Sequence, residues 1–211
     1  MLEFKYAIFD MDGTLIDSLH AWRNAASECA KLRGAKLPDE LVERMMYMSC
    51  EESIGLLNAE YTKNDPVTID ELFELVDNYY VTDVVPKKNA VEYLEQLKRN
   101  GVRMCVISAT LSRFAADALN HLDMMKYFEF VITPDEFPIG KEKPDVFIEA
   151  LRRLGARPEE TVLFEDELKN LISAKSVGIK TVAVADFFNR RYTDELKTVA
   201  DEYLSDGFVL G

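Results

Sequence analysis

The chain has 211 residues, of which 48% are hydrophobic and 30% charged, and its formal net charge at pH 7 is −13. This composition is ordinary for a soluble globular protein, and the length allows one large domain or a core with a smaller insertion. The acidic balance argues against nucleic-acid and anionic-membrane partners, which need a basic surface, but it leaves a small anionic substrate open because a metal ion or a buried lysine reverses the charge locally.

The predicted elements begin with a buried strand at residues 4–9, "FKYAIF". The next strand pattern starts only at residue 102, and the stretch between the two is far longer than one crossover helix requires. Most of that stretch, residues 18–84, has the apolar spacing of four helices. We therefore predict an inserted, all-helical domain at 18–84 and a core domain formed by residues 1–17 and 85–211.

The core domain continues with alternating helices and strands. One predicted helix, 87–100, ends at Asn100-Gly101, and another, 146–154, ends at Gly155, because glycine is favoured just past a helix C-terminus. Short apolar runs between helices are typical of buried strands in a parallel sheet. In chain order these runs are 102–108, 128–133 (the weakest), 161–164 and 179–185. The pattern predicts an α/β fold with a parallel sheet.

The cysteines and the apolar segments bear on the compartment. Cys29, Cys50 and Cys105 are far apart and form no Cys-x-x-Cys pair, which is typical of reduced thiols in a cytosolic protein. A catalytic thiol is the alternative, but only two histidines are available as partners. No apolar run approaches the ~20 residues of a membrane span, and Asp10 comes too early for a signal peptide. We expect a cytoplasmic protein that is a monomer or a weak homodimer.

Polar residues follow the predicted strands at the points where the strands end. In an open α/β sheet, the carboxyl ends of the strands meet at one edge, where ligands bind. We therefore expect these residues to converge, together with a lysine in the loop before helix 146–154. They are Asp10, Asp12, Gly13 and Thr14 after the first strand, Ser108, Ala109 and Thr110 after the second, Glu165 and Asp166 after 161–164, and Lys141.

Several carboxylates at one edge repel one another unless a cation offsets their charge. Two like charges ~4 Å apart at an effective dielectric constant of about 20 repel by ~4 kcal/mol. Oxygen ligands with no histidine or cysteine nearby suit a hard cation, so we expect Mg²⁺ before Ca²⁺ or Mn²⁺. Taken alone, "DMDG" is equally typical of a strand-end turn, and Ser108 and Lys141 of ordinary polar positions. Only the whole set indicates a site.

The full set of motifs resembles the haloacid dehalogenase superfamily, specifically its phosphatases with a helical cap, in the subgroup that resembles β-phosphoglucomutase and phosphoglycolate phosphatase. Four segments carry the resemblance: "FDMDGTL", "VISAT", "GKEKPDVF" and "LFEDE". It spans nearly the whole chain, although the cap matches only in length and helicity. It implies a Rossmann-like core with an inserted all-helical cap, and a Mg²⁺-dependent phosphatase acting on a small phosphorylated metabolite through an aspartyl-phosphate.

The resemblance also implies roles for the carboxylates. Asp10 would be the nucleophile, and Asp12 would protonate the leaving oxygen and then activate the hydrolytic water. Mg²⁺ would be bound by Asp10, by the backbone carbonyl of Asp12 and by Asp166. Glu165 would bind the metal directly or through water.

By the same resemblance, Ser108 and Lys141 would bind the phosphoryl group. The related pattern "GKPxPDxF" has proline where Glu142 stands here, so Lys143 remains an alternative to Lys141. Backbone N–H groups around Met11 and Gly13 would also hold phosphoryl oxygens. His20 would either face the cleft from the cap or be an ordinary polar residue. The substrate-binding candidates are Met11, Gly13, Thr14, Ala109 and His20.

Alternative reactions remain open at this point. A β-phosphoglucomutase-like mutase would need an arginine in the cap segment "SCEES", where Cys50 stands, so hydrolysis is favoured. A non-catalytic, receiver-like phosphoacceptor would carry its acceptor aspartate on a later strand, and a dehalogenase would lack Asp12. Asp17 is expected to cap the first cap helix. The cap residues Trp22, Arg23, Arg44, Met45, Met46, Tyr47 and Met48 show no substrate pattern.

Overall fold

The computed structural model describes residues 3–45 and 48–210, and the chain divides into two compact units. One unit spans Met1–Asp17 and Val85–Gly211, and the other spans Ser18–Val84. The first unit is built on a six-stranded sheet in which every pair of neighbouring strands is parallel, as predicted. Its strands are β1 (Tyr6–Phe9), β4 (Arg103–Ile107), β5 (Val131–Ile132), β6 (Thr161–Glu165), β7 (Lys180–Val184) and β8 (Glu202–Leu204).

The order of the strands places β1 at the centre of the sheet. The order is β5-β4-β1-β6-β7-β8, so the chain moves outward from β1 on one side and then resumes beside β1 on the other. Such a reversal opens a crevice at the carboxyl ends of the two strands where the direction changes. Phe9 is level with Val106 of β4 and Phe164 of β6, so Asp10 emerges between these neighbours at that edge.

Alternate residues of the central strands pack on opposite faces of the sheet. On one face Phe9 stacks on Phe164, with ring centroids 4.7 Å apart and planes 6° apart. On the other face Ile8 and Leu163 join a buried cluster that includes Phe147 of helix α7 (Asp145–Leu154). Because α7 covers the Ile8 face, the loop before it reaches the sheet edge on the side to which Asp10 belongs.

The remaining helices of the first unit are α5 (Ala90–Arg99), α6 (Ser112–His121), α8 (Leu168–Ser176) and α9 (Thr193–Val199). The predicted helices 87–100 and 146–154 are confirmed with small shifts of their ends. Gly101 and Gly155 have positive φ angles of 76° and 63°, which explains why the chain leaves the helix at these two positions. Within the described residues, no helix is long and apolar enough to cross a membrane.

The second unit contains four helices, α1 (Leu19–Leu32), α2 (Asp39–Met45), α3 (Cys50–Glu60) and α4 (Ile69–Thr82), within its described residues. Helices α1 and α4 pack against each other, and Ala25 and Cys29 of α1 and Val76 and Tyr80 of α4 are fully buried. The indole N–H of Trp22 donates to the Tyr80 hydroxyl at 3.1 Å. Met46 and Tyr47 lie outside the described residues, and the unit's role as a cap stays a prediction.

Asp17 is not the N-cap of the first cap helix, so that prediction is wrong. Asp17 ends a two-residue strand, β2 (Ile16–Asp17), which pairs antiparallel with β3 (Val85–Pro86). The residue before α1 is Ser18, and its side chain makes no capping hydrogen bond. The backbone pairing of the two connecting segments decides the conformation at Asp17, and a local capping preference does not reveal such a long-range contact.

Thr68 and Glu71 form a reciprocal cap at the start of α4, and we expect this cap to contribute measurably to stability. The Thr68 hydroxyl accepts a bond from the Glu71 N–H at 3.3 Å, and the Glu71 carboxylate accepts one from the Thr68 N–H at 2.8 Å. We expect Thr68→Ala to lower the free energy of unfolding by ~1 kcal/mol, measured by urea denaturation followed by circular dichroism. Thr82→Ala at the other end of α4 is the matched control, and an equal loss there would contradict the capping role.

Candidate active site

A buried lysine joins two of the predicted carboxylates at the sheet edge. The Lys141 ammonium pairs with Asp10 Oδ1 and lies 2.9 Å from Glu165 Oε2. Asp10 directly follows β1, Glu165 ends β6, and Lys141 comes from the loop before α7, with a side chain only 10% exposed. Lys143 is exposed, and its backbone N–H closes a turn to the Gly140 carbonyl at 3.0 Å. Of the two lysines, Lys141 is the one that reaches the carboxylates.

The carboxylate oxygens differ in how they are satisfied. Glu165 Oε1 accepts bonds from the N–H groups of Asp166 and Glu167, both at 3.0 Å, while Oε2 faces Lys141. Asp10 Oδ1 is paired with Lys141, but the buried Oδ2 has no hydrogen-bond partner among the described residues. A buried, unpaired carboxylate oxygen is unfavourable, so Asp10 Oδ2 is the atom at which a bound electrophile or cation would be most stabilised.

Burial and mutual repulsion dominate the electrostatics of the cluster. Burial, reinforced by the Glu165 charge, raises the pKa of Asp10 to about 8. Burial and the charges of Asp10 and Glu165 also raise the pKa of Asp166 well above its usual range. Burial disfavours the charged form of Lys141, but the two adjacent carboxylates outweigh it and its pKa is raised. A single ammonium is therefore too little positive charge to keep all three acidic groups ionised together.

The three carboxylates form a set that fits a divalent cation. Asp10, Glu165 and Asp166 each offer one oxygen, and these oxygens lie within 4.8 Å of one another. All three residues are buried, and the donors are oxygen only, which suits a hard ion such as Mg²⁺. The partnerless Asp10 Oδ2 is an open ligand position, and a doubly charged cation would offset the negative charge that one lysine leaves.

Asp12 lies with two hydroxyl groups from the end of β4. Its Oδ2 accepts a hydrogen bond from Thr110 Oγ1 at 2.8 Å and a longer one from Ser108 Oγ at 3.3 Å. The Thr110 N–H also donates to Ser108 Oγ at 3.0 Å. The structure thus brings Ser108 to Asp12, as the convergence of strand ends predicts. Thr110 received no role from the sequence, although its place in "VISAT" beside Ser108 is the signal for it.

The loop after Asp12 closes on itself. The Gly13 N–H donates to the Ile16 carbonyl at 2.9 Å, and the Gly13 φ of 83° lies in the left-handed region that glycine tolerates. This N–H is therefore not directed at a ligand, contrary to the expectation for Gly13. Met11 is fully buried, and its carbonyl accepts the N–H groups of the same turn. Thr14 is also buried, and its hydroxyl has no partner among the described residues.

Two further substrate-binding candidates are Ala109 and His20. Ala109 is exposed in the segment between Ser108 and Thr110. His20 lies on α1 of the second unit and is half-buried. The roles predicted for both residues remain predictions.

The chain is similar to known proteins in family, in sequence and in structure. The family model described as "Haloacid dehalogenase-like hydrolase" matches residues 7–184. The "Phosphorylated carbohydrates phosphatase" of Thermotoga maritima is 29% identical over 177 residues, covering 83% of this chain and 82% of the relative. "Phosphoglycolate phosphatase 1" of Pseudomonas aeruginosa is 28% identical over 221 residues, covering 96% and 78%. The crystal structure of a T. maritima protein provisionally assigned as a β-phosphoglucomutase superimposes with a TM-score of 0.83 at 26% identity, covering 95% and 94%.

Proposed function

The chain belongs to the haloacid dehalogenase-like hydrolase family and is a phosphatase, and we propose that it hydrolyses a small phosphorylated metabolite through an aspartyl-phosphate intermediate. One observation carries the proposal: a buried carboxylate oxygen, Asp10 Oδ2, lies without a partner beside Lys141 and the acidic residues that end β6. Relatives named for phosphorylated carbohydrates and phosphoglycolate favour a sugar phosphate or a small phosphorylated acid as substrate.

Asp10 and Asp12 would divide the chemistry between them. One carboxylate oxygen of Asp10 attacks phosphorus in line, the phosphorus–oxygen bond to the leaving group breaks, and Asp12 gives its proton to the departing oxygen. Asp12 then removes a proton from water, which attacks the aspartyl-phosphate, releases inorganic phosphate and regenerates Asp10. The hydroxyl bonds from Thr110 and Ser108 to Asp12 Oδ2 hold the carboxyl group in one orientation for both proton transfers.

The remaining polar groups would bind the cation and the phosphoryl group. Asp10, Asp166 and the Asp12 carbonyl would hold Mg²⁺, with Glu165 direct or through water, and the cation would offset charge on the nucleophile and the phosphoryl group. Lys141 orients Asp10 through its ion pair and donates to a phosphoryl oxygen when substrate is bound. Ser108 would turn its hydroxyl from Asp12 to the same phosphoryl group when substrate is bound.

Hydrolysis is favoured over the mutase alternative because of the residue at the start of α3. Cys50 is the first residue of that helix, where the mutase resemblance calls for an arginine to hold a second phosphate. The Ser49 hydroxyl and the Glu52 carboxylate bind the first turn in a reciprocal cap and bring no positive charge. A hexose 1-phosphate separates the two reactions, because a mutase returns an isomeric phosphate and a hydrolase releases inorganic phosphate.

The cytoplasmic location and the monomeric or weakly dimeric state stay predictions.

Phosphate release from a panel of substrates tests the proposal. We expect repeated turnover with Mg²⁺ on p-nitrophenyl phosphate, sugar phosphates and 2-phosphoglycolate, with at least one substrate clearly preferred. Removing the metal with EDTA should lower the rate by on the order of 10² to 10³-fold, because the cluster then lacks the cation that offsets its charge, and excess Mg²⁺ should restore it. A single burst without turnover across the whole panel would overturn the hydrolase assignment.

A further inference from the structure

A buried asparagine spans the ends of two neighbouring strands next to the acidic cluster. Asn189 Nδ2 donates to the backbone carbonyls of Asp166 and Val184, both at 3.0 Å. Its Oδ1 accepts the Asp186 N–H, also at 3.0 Å. Asn189 is 7% exposed, and each polar atom of its carboxamide is engaged with backbone. A side chain fully paired in this way holds one loop conformation, because any movement leaves buried polar groups unsatisfied.

The Asn189 side chain lies where strands β6 and β7 end. The last registered pair of β6 and β7 is Glu165 with Ala183, so Asp166 and Val184 are the next residues on each strand. The Asn189 carboxamide therefore continues the hydrogen bonding between β6 and β7 just beyond their last backbone pair. By binding the Asp166 carbonyl, it fixes the backbone of Asp166 and so the position from which the carboxylate side chain extends.

A second tie anchors the asparagine's own loop. Asp186 Oδ1 accepts the Phe188 N–H at 2.9 Å, and its other oxygen pairs with the Lys87 ammonium. The side chains of Asp186 and Lys87 are 2% and 14% exposed, so this ion pair is well shielded. The Lys87 N–H in turn donates to the Leu15 carbonyl at 2.8 Å, in the turn that follows Asp12. These contacts connect the loop that carries Asn189 to the turn that follows Asp12.

We propose that Asn189 is a positioning residue for the cation site, which acts by holding Asp166 in the orientation that completes the cluster with Asp10. The inference rests on the proposed function, because that function requires the cation. Groups that orient metal ligands typically contribute 10–100-fold to metal affinity or activity. No local pattern in "FFNRRY" marks this residue.

Mg²⁺ binding to the whole protein, measured by isothermal titration calorimetry without substrate, tests the role. We expect Asn189→Asp to raise the Kd for Mg²⁺ by about 10–100-fold, because the new carboxylate oxygen would face two carbonyl oxygens in place of an N–H donor. Asn189→Ala removes the same bonds without adding charge, and a rise of similar size is expected there.

Asn58→Asp is the matched control. Asn58 holds a loop of the second unit in the same way, with Nδ2 on the Val67 carbonyl at 2.9 Å and Oδ1 on the Val67 N–H at 2.7 Å. This substitution should lower stability but leave the Kd for Mg²⁺ within about twofold of the parent.

The outcomes separate the two proposals. A parent protein that binds no Mg²⁺ would overturn the metal part of the proposed function. A parent that binds Mg²⁺ while folded Asn189→Ala binds it within twofold would overturn the positioning role alone. Failure of both Asn189 variants to fold would assign the residue to stability and would also overturn it.

Discussion

Asp10→Asn is expected to lower kcat by at least about 10⁴-fold and to abolish covalent phosphorylation of the protein. The asparagine side chain has almost the same shape, but it is neutral and cannot attack phosphorus. It also removes one of three mutually repelling carboxylates and leaves Glu165 as a partner for Lys141, so the folded protein should not be greatly destabilised. Phosphate release and the intact mass of acid-quenched protein are the two measurements.

Asp12→Asn is the matched control for this prediction, since it is the same change two residues along the chain. An amide oxygen can still accept the hydroxyl bond that Thr110 makes to Asp12, so the local geometry should survive. With p-nitrophenyl phosphate, whose leaving group needs little protonation, the variant should still be phosphorylated at Asp10 but should hydrolyse the intermediate slowly. The phosphorylated form should accumulate. Equal residual turnover and equal labelling in the two variants would mean that the roles are wrongly assigned.

The sequence predicts the centre of the sheet better than its edges. The strands at 4–9 and 161–164 are correct to within two residues because both faces of β1 and β6 are buried and the runs at 7–9 and 162–164 are wholly apolar. The predicted strand at 128–133 contracts to Val131–Ile132. The edge strand Glu202–Leu204 was not predicted, because its three residues are only half-buried and carry no apolar run.

The same contrast applies to the candidate site. Backbone register alone brings Asp10 beside Glu165, so the strand-end rule finds them without knowledge of any side chain. Which partner each side chain selects depends on contacts between distant segments. The bond from Thr110 to Asp12 and the bond from the Asn189 carboxamide to the Asp166 carbonyl are of this kind, because the partners lie 98 and 23 positions apart in the sequence. Local patterns hold little information about them.

The two lysines of "GKEKP" provide the second large effect. Lys141→Met should lower kcat/KM by on the order of 10³-fold, because the side chain keeps its length and loses the charge that pairs with Asp10 and Glu165. Lys143→Met makes the same change at an exposed position two residues away, and its kcat/KM should stay within about twofold of the parent. Both are measured at saturating Mg²⁺.

Stability distinguishes the two variants as well. Removing one partner of a buried ion pair typically costs 3–5 kcal/mol, since the remaining charges lose their compensation. Lys141→Met should therefore lower the free energy of unfolding by about that amount without Mg²⁺, and by less with it, because the cation becomes the remaining positive charge at the cluster. Lys143→Met should change it by no more than about 0.5 kcal/mol. A fully active Lys141→Met beside an inactive Lys143→Met would require Lys143 to move into the site and would reverse the assignment.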